Sequence, residues 1–93
     1  MNFVMEIKID KSFQKDTRRI KDKNVLKRIA NTIANVQRAK TLEEFKSIKK
    51  MQGTQSMYRI RIGDYRLGII VSGSKVEFIR CLHRKDIYKY FPK

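Results

Sequence analysis

Met57-Tyr-Arg-Ile-Arg-Ile-Gly-Asp-Tyr-Arg-Leu67 is the stretch whose reading decides the fold. Apolar and arginine side chains alternate along it, the pattern of a strand with one face on a core and the other outward. Gly63-Asp64 breaks the alternation at a two-residue turn, so Met57 to Ile62 and Tyr65 to Val71 read as an antiparallel hairpin. Lys75 to Leu82 follows across Ser72-Gly-Ser74 and completes a meander. Tyr58, Ile60 and Ile62 share one face of the first strand, with Met57, Arg59 and Arg61 on the other. In the second strand Tyr65, Leu67, Ile69 and Val71 lie together, with Arg66, Gly68 and Ile70 opposite. If the aliphatic faces meet a helical layer, Arg59, Arg61 and Arg66 converge on the exposed side, with Arg61 and Arg66 neighbours across the turn. Like charges across a ladder are mildly destabilising, so grouping them suggests an anion to be met. For any one arginine alone, solubility and edge protection explain as much. Gly68 is consistent either with room for a ligand or with a bulge.

Working back toward the N-terminus, Val4 to Ile9 alternates as a short strand. From about Ser12 the period becomes helical, through Phe13, Thr17 and Ile20. Asn24 is placed to cap a second helix in which Val25, Ile29, Ile33 and Val36 recur every three to four residues. Thr41-Leu-Glu-Glu44 has capping-box spacing, which predicts a helical turn through Phe45, and Gly53 marks a turn. The sum is an α+β domain over residues 1–93: an N-terminal strand, a two-helix hairpin, then an antiparallel three-stranded meander with the helices on one face of the sheet.

Composition narrows the partners. Twenty-three Lys and Arg against nine Asp and Glu leave a net charge of +14 on 93 residues, a field that attracts polyanions. A hydrophobic content of 41% supports a core and argues against disorder. One cysteine, Cys81, excludes an internal disulfide framework and reads as a small buried hydrophobe. There is no apolar run of membrane-spanning length and no signal-peptide pattern, so the expected location is the cytoplasm. The acids show no ligand spacing, and one His with one Cys cannot build a zinc site. The absence of a glycine-rich phosphate loop speaks against a nucleotide cofactor.

The meander ends in Leu82-His-Arg-Lys-Asp-Ile-Tyr88. His83 is the only histidine, and at a strand exit beside Arg84 it suits general acid–base work. Arginines, a histidine and a tyrosine on a rigid sheet can bind a phosphodiester and stabilise the charge that develops as it is cleaved.

Together, Tyr58-Arg-Ile-Arg-Ile-Gly-Asp-Tyr-Arg-Leu67 and the His-Arg-x-x-x-Tyr exit resemble the signature of the RelE branch of the RelE/ParE toxins of bacterial type II toxin–antitoxin systems. The resemblance covers essentially the whole chain. It implies a metal-independent, cofactor-free endoribonuclease that cuts mRNA in the A site of the 70S ribosome and inhibits translation. A cognate antitoxin protein would neutralise it. On that resemblance Arg61, Arg66, His83, Arg84 and Tyr88 form the catalytic set. Arg59, Lys46, Lys49, Lys50, Lys85 and Tyr90 would hold mRNA or 16S rRNA. Tyr88 is preferred over Tyr90 as the tyrosine that stacks on a substrate base. The founding type carries lysines where this chain has Arg59 and Arg61. A guanidinium is a poor general base, which shifts proton transfer toward His83. The alternatives are a ParE-like DNA gyrase inhibitor without nuclease activity and a catalytically degenerate nucleic-acid-binding member.

Overall fold

The computed structural model describes residues 5–42, 45, 47–53 and 56–91. Five strands form one sheet in the order β1-β5-β4-β3-β2, where β1 is Glu6–Ile9, β2 Ile48–Lys50, β3 Met57–Ile62, β4 Tyr65–Ser72 and β5 Lys75–His83. The meander β3-β4-β5 is antiparallel, with Arg61 directly opposite Arg66. Gly63, at φ +57°, opens the β3–β4 turn in the left-handed region, as the first position of a primed hairpin turn requires. Two strands extend the expected meander. β1 joins β5 in parallel, and β2, which the basic stretch before Gly53 gave no sign of, pairs with β3.

Helices α1 (Lys11–Arg18) and α2 (Lys23–Arg38) cover one face. Asp10 caps the first helix by accepting the Ser12 amide hydrogen. Asp22, not Asn24, caps the second, accepting from the amides of Asn24 and Val25. Both aspartates have extended backbones that turn the chain into the helix. Phe13, Ile29 and Val36 meet Ile60, Ile62, Leu67, Ile69, Val76 and Phe78 in the main core, where Phe13 and Phe78 pack edge to face at 5.5 Å. The expected turn at Thr41–Glu44 falls partly outside the described residues; a bond from the Phe45 amide to the Leu42 carbonyl is seen within them. Val4 also lies outside.

Helix α1 also completes an edge. β1 ends opposite Phe78, so the rest of β5 lacks a strand partner on that side. The Ser12 hydroxyl bonds to the Ile79 carbonyl at 2.5 Å, and the Asp16 carboxylate accepts the Cys81 amide hydrogen at 2.9 Å. Asp16, only 6% exposed, also takes a two-pronged ion pair from Arg80, at 2.8 and 3.1 Å. Charge and backbone are therefore both satisfied at a buried site.

The opposite face is less open than the alternation suggests. A single-turn helix, α3 (Ile87–Tyr90), lies on it, and Ile87, Phe91 and Met51 form a second core with Met57, Ile70, Ile79 and Leu82. Gly68 makes room for this lid: a Cβ there would fall 2.7 Å from the ring carbons of Phe91. The space at Gly68 is filled by the chain's own phenylalanine. The bulge is real as well, because pairing runs Gly68–Arg80 and then Ile69–Phe78, leaving Ile79 without a partner.

That one extra residue matters for everything after it. Past a bulge the side chains change face. Phe78 points to the helices, and so does Cys81, opposite Leu67, with His83 opposite Tyr65. Among the described residues no helix is long and apolar enough to cross a membrane.

Candidate nucleic-acid interface

Alternation on β3 and β4 delivers Arg59, Arg61 and Arg66 to the face away from α1 and α2, as the pattern predicts. Two open clefts share Ser47, Arg61 and Arg66 as a common wall. One, of about 410 Å³, adds Lys49 and Arg59. The other, of about 600 Å³, adds Arg84 from the turn after β5 and Arg28 and Thr32 from α2. Ser47 is fixed there because its carbonyl accepts the Arg61 amide hydrogen, extending the β2–β3 ladder.

The Arg66 guanidinium folds back to donate to the carbonyls of Gly63 and Tyr65, both at 2.9 Å. Its pKa is lowered, first by burial and then by repulsion from Arg61, Arg59 and Arg84, with Tyr88 acting in the other direction. Arg66 thus feels three other guanidiniums nearby. Among the described residues, Arg61 and Arg84 have no ion pair or side-chain hydrogen bond to relieve that repulsion. Such a face favours an anion.

The two tyrosines of α3 are held differently. Tyr88, 62% exposed, carries the Arg59 guanidinium 5.1 Å from its ring centroid. Tyr90 lies under Arg80, at 5.5 Å, on the side where Arg80 pairs with Asp16. Tyr88 is therefore the tyrosine beside the arginine face. Arg59 also lies 3.9 Å from the Met51 sulfur, so it is half-buried.

Other expected residues stand apart. His83 packs edge to face with Tyr65 at 6.0 Å, on the helix side of the sheet, and lines neither basic cleft. Its Nδ1 accepts the Lys85 amide hydrogen at 3.2 Å, so in the neutral ring Nε2 carries the hydrogen. This bond ties the turn that presents Arg84. Lys50 faces a different cleft, one lined by Met5, Leu42, Phe45 and Tyr58, while Lys49 joins Arg59. Lys85 is exposed and lines neither basic cleft; Lys46 lies outside the described residues. Among the described residues no three His, Cys, Asp or Glu side chains cluster as metal ligands would. Burial pushes the Cys81 thiol up to about 12, which makes it inert at neutral pH.

Sequence reasoning missed Arg28 and Arg80. Arg28 lies one residue before Ile29 on the core stripe of α2 and four before Thr32, so the two flank the apolar face where it meets the β3–β4 turn. That flank was legible only once the helix had been set against the sheet.

Known proteins resemble this chain in sequence and fold. The sequence profile described as ParE toxin of type II toxin–antitoxin system, parDE, matches residues 7–88. A curated relative, Toxin RelE3 of Methanocaldococcus jannaschii, is 43% identical over 89 residues, which is 95% of this chain and all of that one. A chain of the RelB–RelE antitoxin–toxin complex from Methanococcus jannaschii superposes with a TM-score of 0.78 at 41% identity, covering 91% of this chain and 99% of that one. The archaeal RelE–RelB complex from Pyrococcus horikoshii OT3 gives 0.72 at 22% identity, over 87% and 96% of the two chains, a likeness of fold. The fold and these matches place the chain in the RelE/ParE superfamily of toxins of type II toxin–antitoxin systems.

Proposed function

We propose that the chain is a ribosome-dependent endoribonuclease of the RelE type, which cleaves mRNA in the A site and so inhibits translation. The observation that carries this reading is the convergence of Arg59, Arg61, Arg66 and Arg84 with the exposed ring of Tyr88. In the reaction a ribose 2′-oxygen attacks the adjacent phosphorus and the P–O5′ bond breaks. The products are a 2′,3′-cyclic phosphate and a 5′-hydroxyl. Arg61 and Arg66 stabilise the phosphorane, where each preorganised donor contributes about 3–4 kcal/mol. Arg84 binds the phosphate beside them. Tyr88 leaves Arg59 to stack on a splayed base, worth about 1–3 kcal/mol, and frees that guanidinium for the RNA backbone, with Lys49 beside it.

Proton transfer explains the need for the ribosome. A guanidinium does not accept a proton at neutral pH, and His83 Nδ1 is already occupied by the Lys85 amide. Through its Nε2–H, His83 is thus set up to donate a hydrogen bond to the departing 5′-oxygen as charge develops there, with the RNA passing over the end of the sheet and the proton for that oxygen coming from water. The acceptor for the 2′-hydroxyl proton then comes with the ribosome-bound mRNA.

A cognate antitoxin is the second partner. The relatives from M. jannaschii and P. horikoshii are seen in complexes of RelE with RelB, and a surface of +14 calls for an acidic or amphipathic cover. A ParE-like gyrase inhibitor without nuclease activity is the second reading. It draws on the ParE profile match and on the placement of His83 off the arginine face. One experiment decides. The purified chain is added to a reconstituted translation reaction and mRNA ends are mapped by primer extension, beside a gyrase supercoiling assay. Ribosome-dependent cuts support the nuclease; intact mRNA with blocked supercoiling overturns it.

A further inference from the structure

The larger basic cleft contains more than the proposed cleavage chemistry uses. Arg28 reaches it from α2, on the far side of the Arg61–Arg66 wall from Tyr88 and Arg59. A terminal nitrogen of Arg28 lies 3.3 Å from where a Cβ on Gly63 would sit, so helix and hairpin close together over the turn. Its side chain has no ion pair or hydrogen bond among the described residues. The Thr32 hydroxyl, one helical turn on, is bonded to the Arg28 carbonyl and braces the helix there. The cleft is polar, and against four guanidiniums it has one carboxylate, Asp64. At about 600 Å³ it lies within the range of small-molecule sites.

A single scissile phosphate does not account for two clefts on either side of one arginine pair. We propose that the cleft closed by Arg28 is a second phosphate subsite, which holds the phosphodiester adjacent to the one being cut. The inference rests on the ribonuclease reading and deepens it. Arg61 and Arg66 face the scissile group from the shared wall. Arg28 grips the neighbouring phosphate, with Arg84 lining the cleft between it and the scissile group, and fixes the register of the strand, a contact that positions without reading sequence. Arginine suits the task because its fork can meet two phosphate oxygens at once.

The test uses three 2′-O-methyl trinucleotides, which cannot be cleaved: one with a 3′-terminal phosphate, one with a 5′-terminal phosphate, one with neither. Binding to the full chain is measured by isothermal titration at low salt. One terminal phosphate is expected to tighten wild-type binding about tenfold, the scale of one charge-assisted contact. That gain disappears in Arg28→Ala, returns in part in Arg28→Lys and survives in Lys27→Ala, an exposed lysine of the same helix that lines neither basic cleft. The slope of log affinity against log salt falls by about 0.7 in Arg28→Ala, as for one lost phosphate contact on a single strand. Arg28 is exposed on its helix and alanine is the better helix former, so the variant keeps its fold. No gain from either phosphate in the wild type overturns the subsite, and so does a gain that persists in Arg28→Ala. Because the readout here is binding, the mRNA-cleavage assay remains an independent test of the nuclease, and the two failures are distinguishable.

Discussion

Gly68→Ala tests how the C-terminal lid is seated. The new Cβ would lie 2.7 Å from two ring carbons of Phe91 and 2.9 Å from a third. Ordinary carbon contacts need about 3.5–4.0 Å. The carbons include Cγ, so rotating the ring about χ2 cannot clear the clash, and Phe91, 2% exposed, would have to swing its whole ring out of the second core to do so. Gly68 does not have a positive φ, so alanine carries no backbone strain there and would by itself stabilise by about 0.4–1 kcal/mol. Overpacking costs about 1–3 kcal/mol and wins. The net expectation is a loss of about 1–2 kcal/mol, read as a fall in Tm of about 4–8 °C per kcal/mol in a chain of this size. In a Phe91→Ala background the sign should reverse, because the ring is gone and only the gain on the unfolded chain remains. Thermal unfolding of the four proteins in the cycle decides it. A neutral Gly68→Ala, or one equally damaging without Phe91, would refute the packing described here.

Other perturbations probe separate parts of the molecule. Arg80→Ala takes the ion pair from the buried Asp16 carboxylate and leaves it the Cys81 amide; a loss of about 3–5 kcal/mol in chemical denaturation is expected, and a loss under about 1 kcal/mol, the scale of an exposed pair, would contradict the network. Asp10 has its pKa lowered by the Ser12 hydroxyl and amide, so its contribution is full above the usual carboxylate range and is lost as pH falls through the depressed value. The Tm difference between wild type and Asp10→Ala should accordingly shrink in acid, and a difference independent of pH would count against the cap. Cys81, buried with its thiol pushed up to about 12, should react with Ellman's reagent at neutral pH only as fast as the protein opens; rapid labelling of the native chain would be inconsistent with that burial. His83→Ala should slow cleavage by ~10²–10³-fold if the Nε2–H bond stabilises the departing 5′-oxygen, whereas a change of less than about fivefold would restrict His83 to bracing the Arg84 turn.

The meander was legible because a two-residue period over Met57 to Val71, broken at Gly63-Asp64, leaves one register. The opposition of Arg61 to Arg66 followed directly from it. β2 was not legible: Ile48-Lys-Lys50 has a single apolar residue, and it is a strand because β3 offers an edge to pair with. α3 is one turn long, too short to show a period, and Asp86 makes no side-chain cap bond. Asp22 and Asn24 are both able caps two residues apart, and only the backbone shows which one turns the chain. The placement of His83 was the largest gap. Strict alternation from Phe78 would set it with the arginines, but the unpaired Ile79 shifts the count by one and sends it to Tyr65. Gly68 allowed for a bulge, but nothing in the residue types shows that the extra residue falls on β5 at Ile79.

If the arginine face promotes attack by a 2′-hydroxyl on mRNA, removing that hydroxyl must abolish the cut. The most direct test uses programmed ribosomes, with one mRNA carrying a single 2′-deoxynucleotide at the mapped cut and its all-ribose counterpart, each treated with wild type and with folded Arg66→Ala. The expected result is a cut ending in a 2′,3′-cyclic phosphate with wild type on the ribose strand, and none in the other three reactions. A cut that persists on the deoxy-substituted mRNA, or with Arg66→Ala at the wild-type rate, would contradict it.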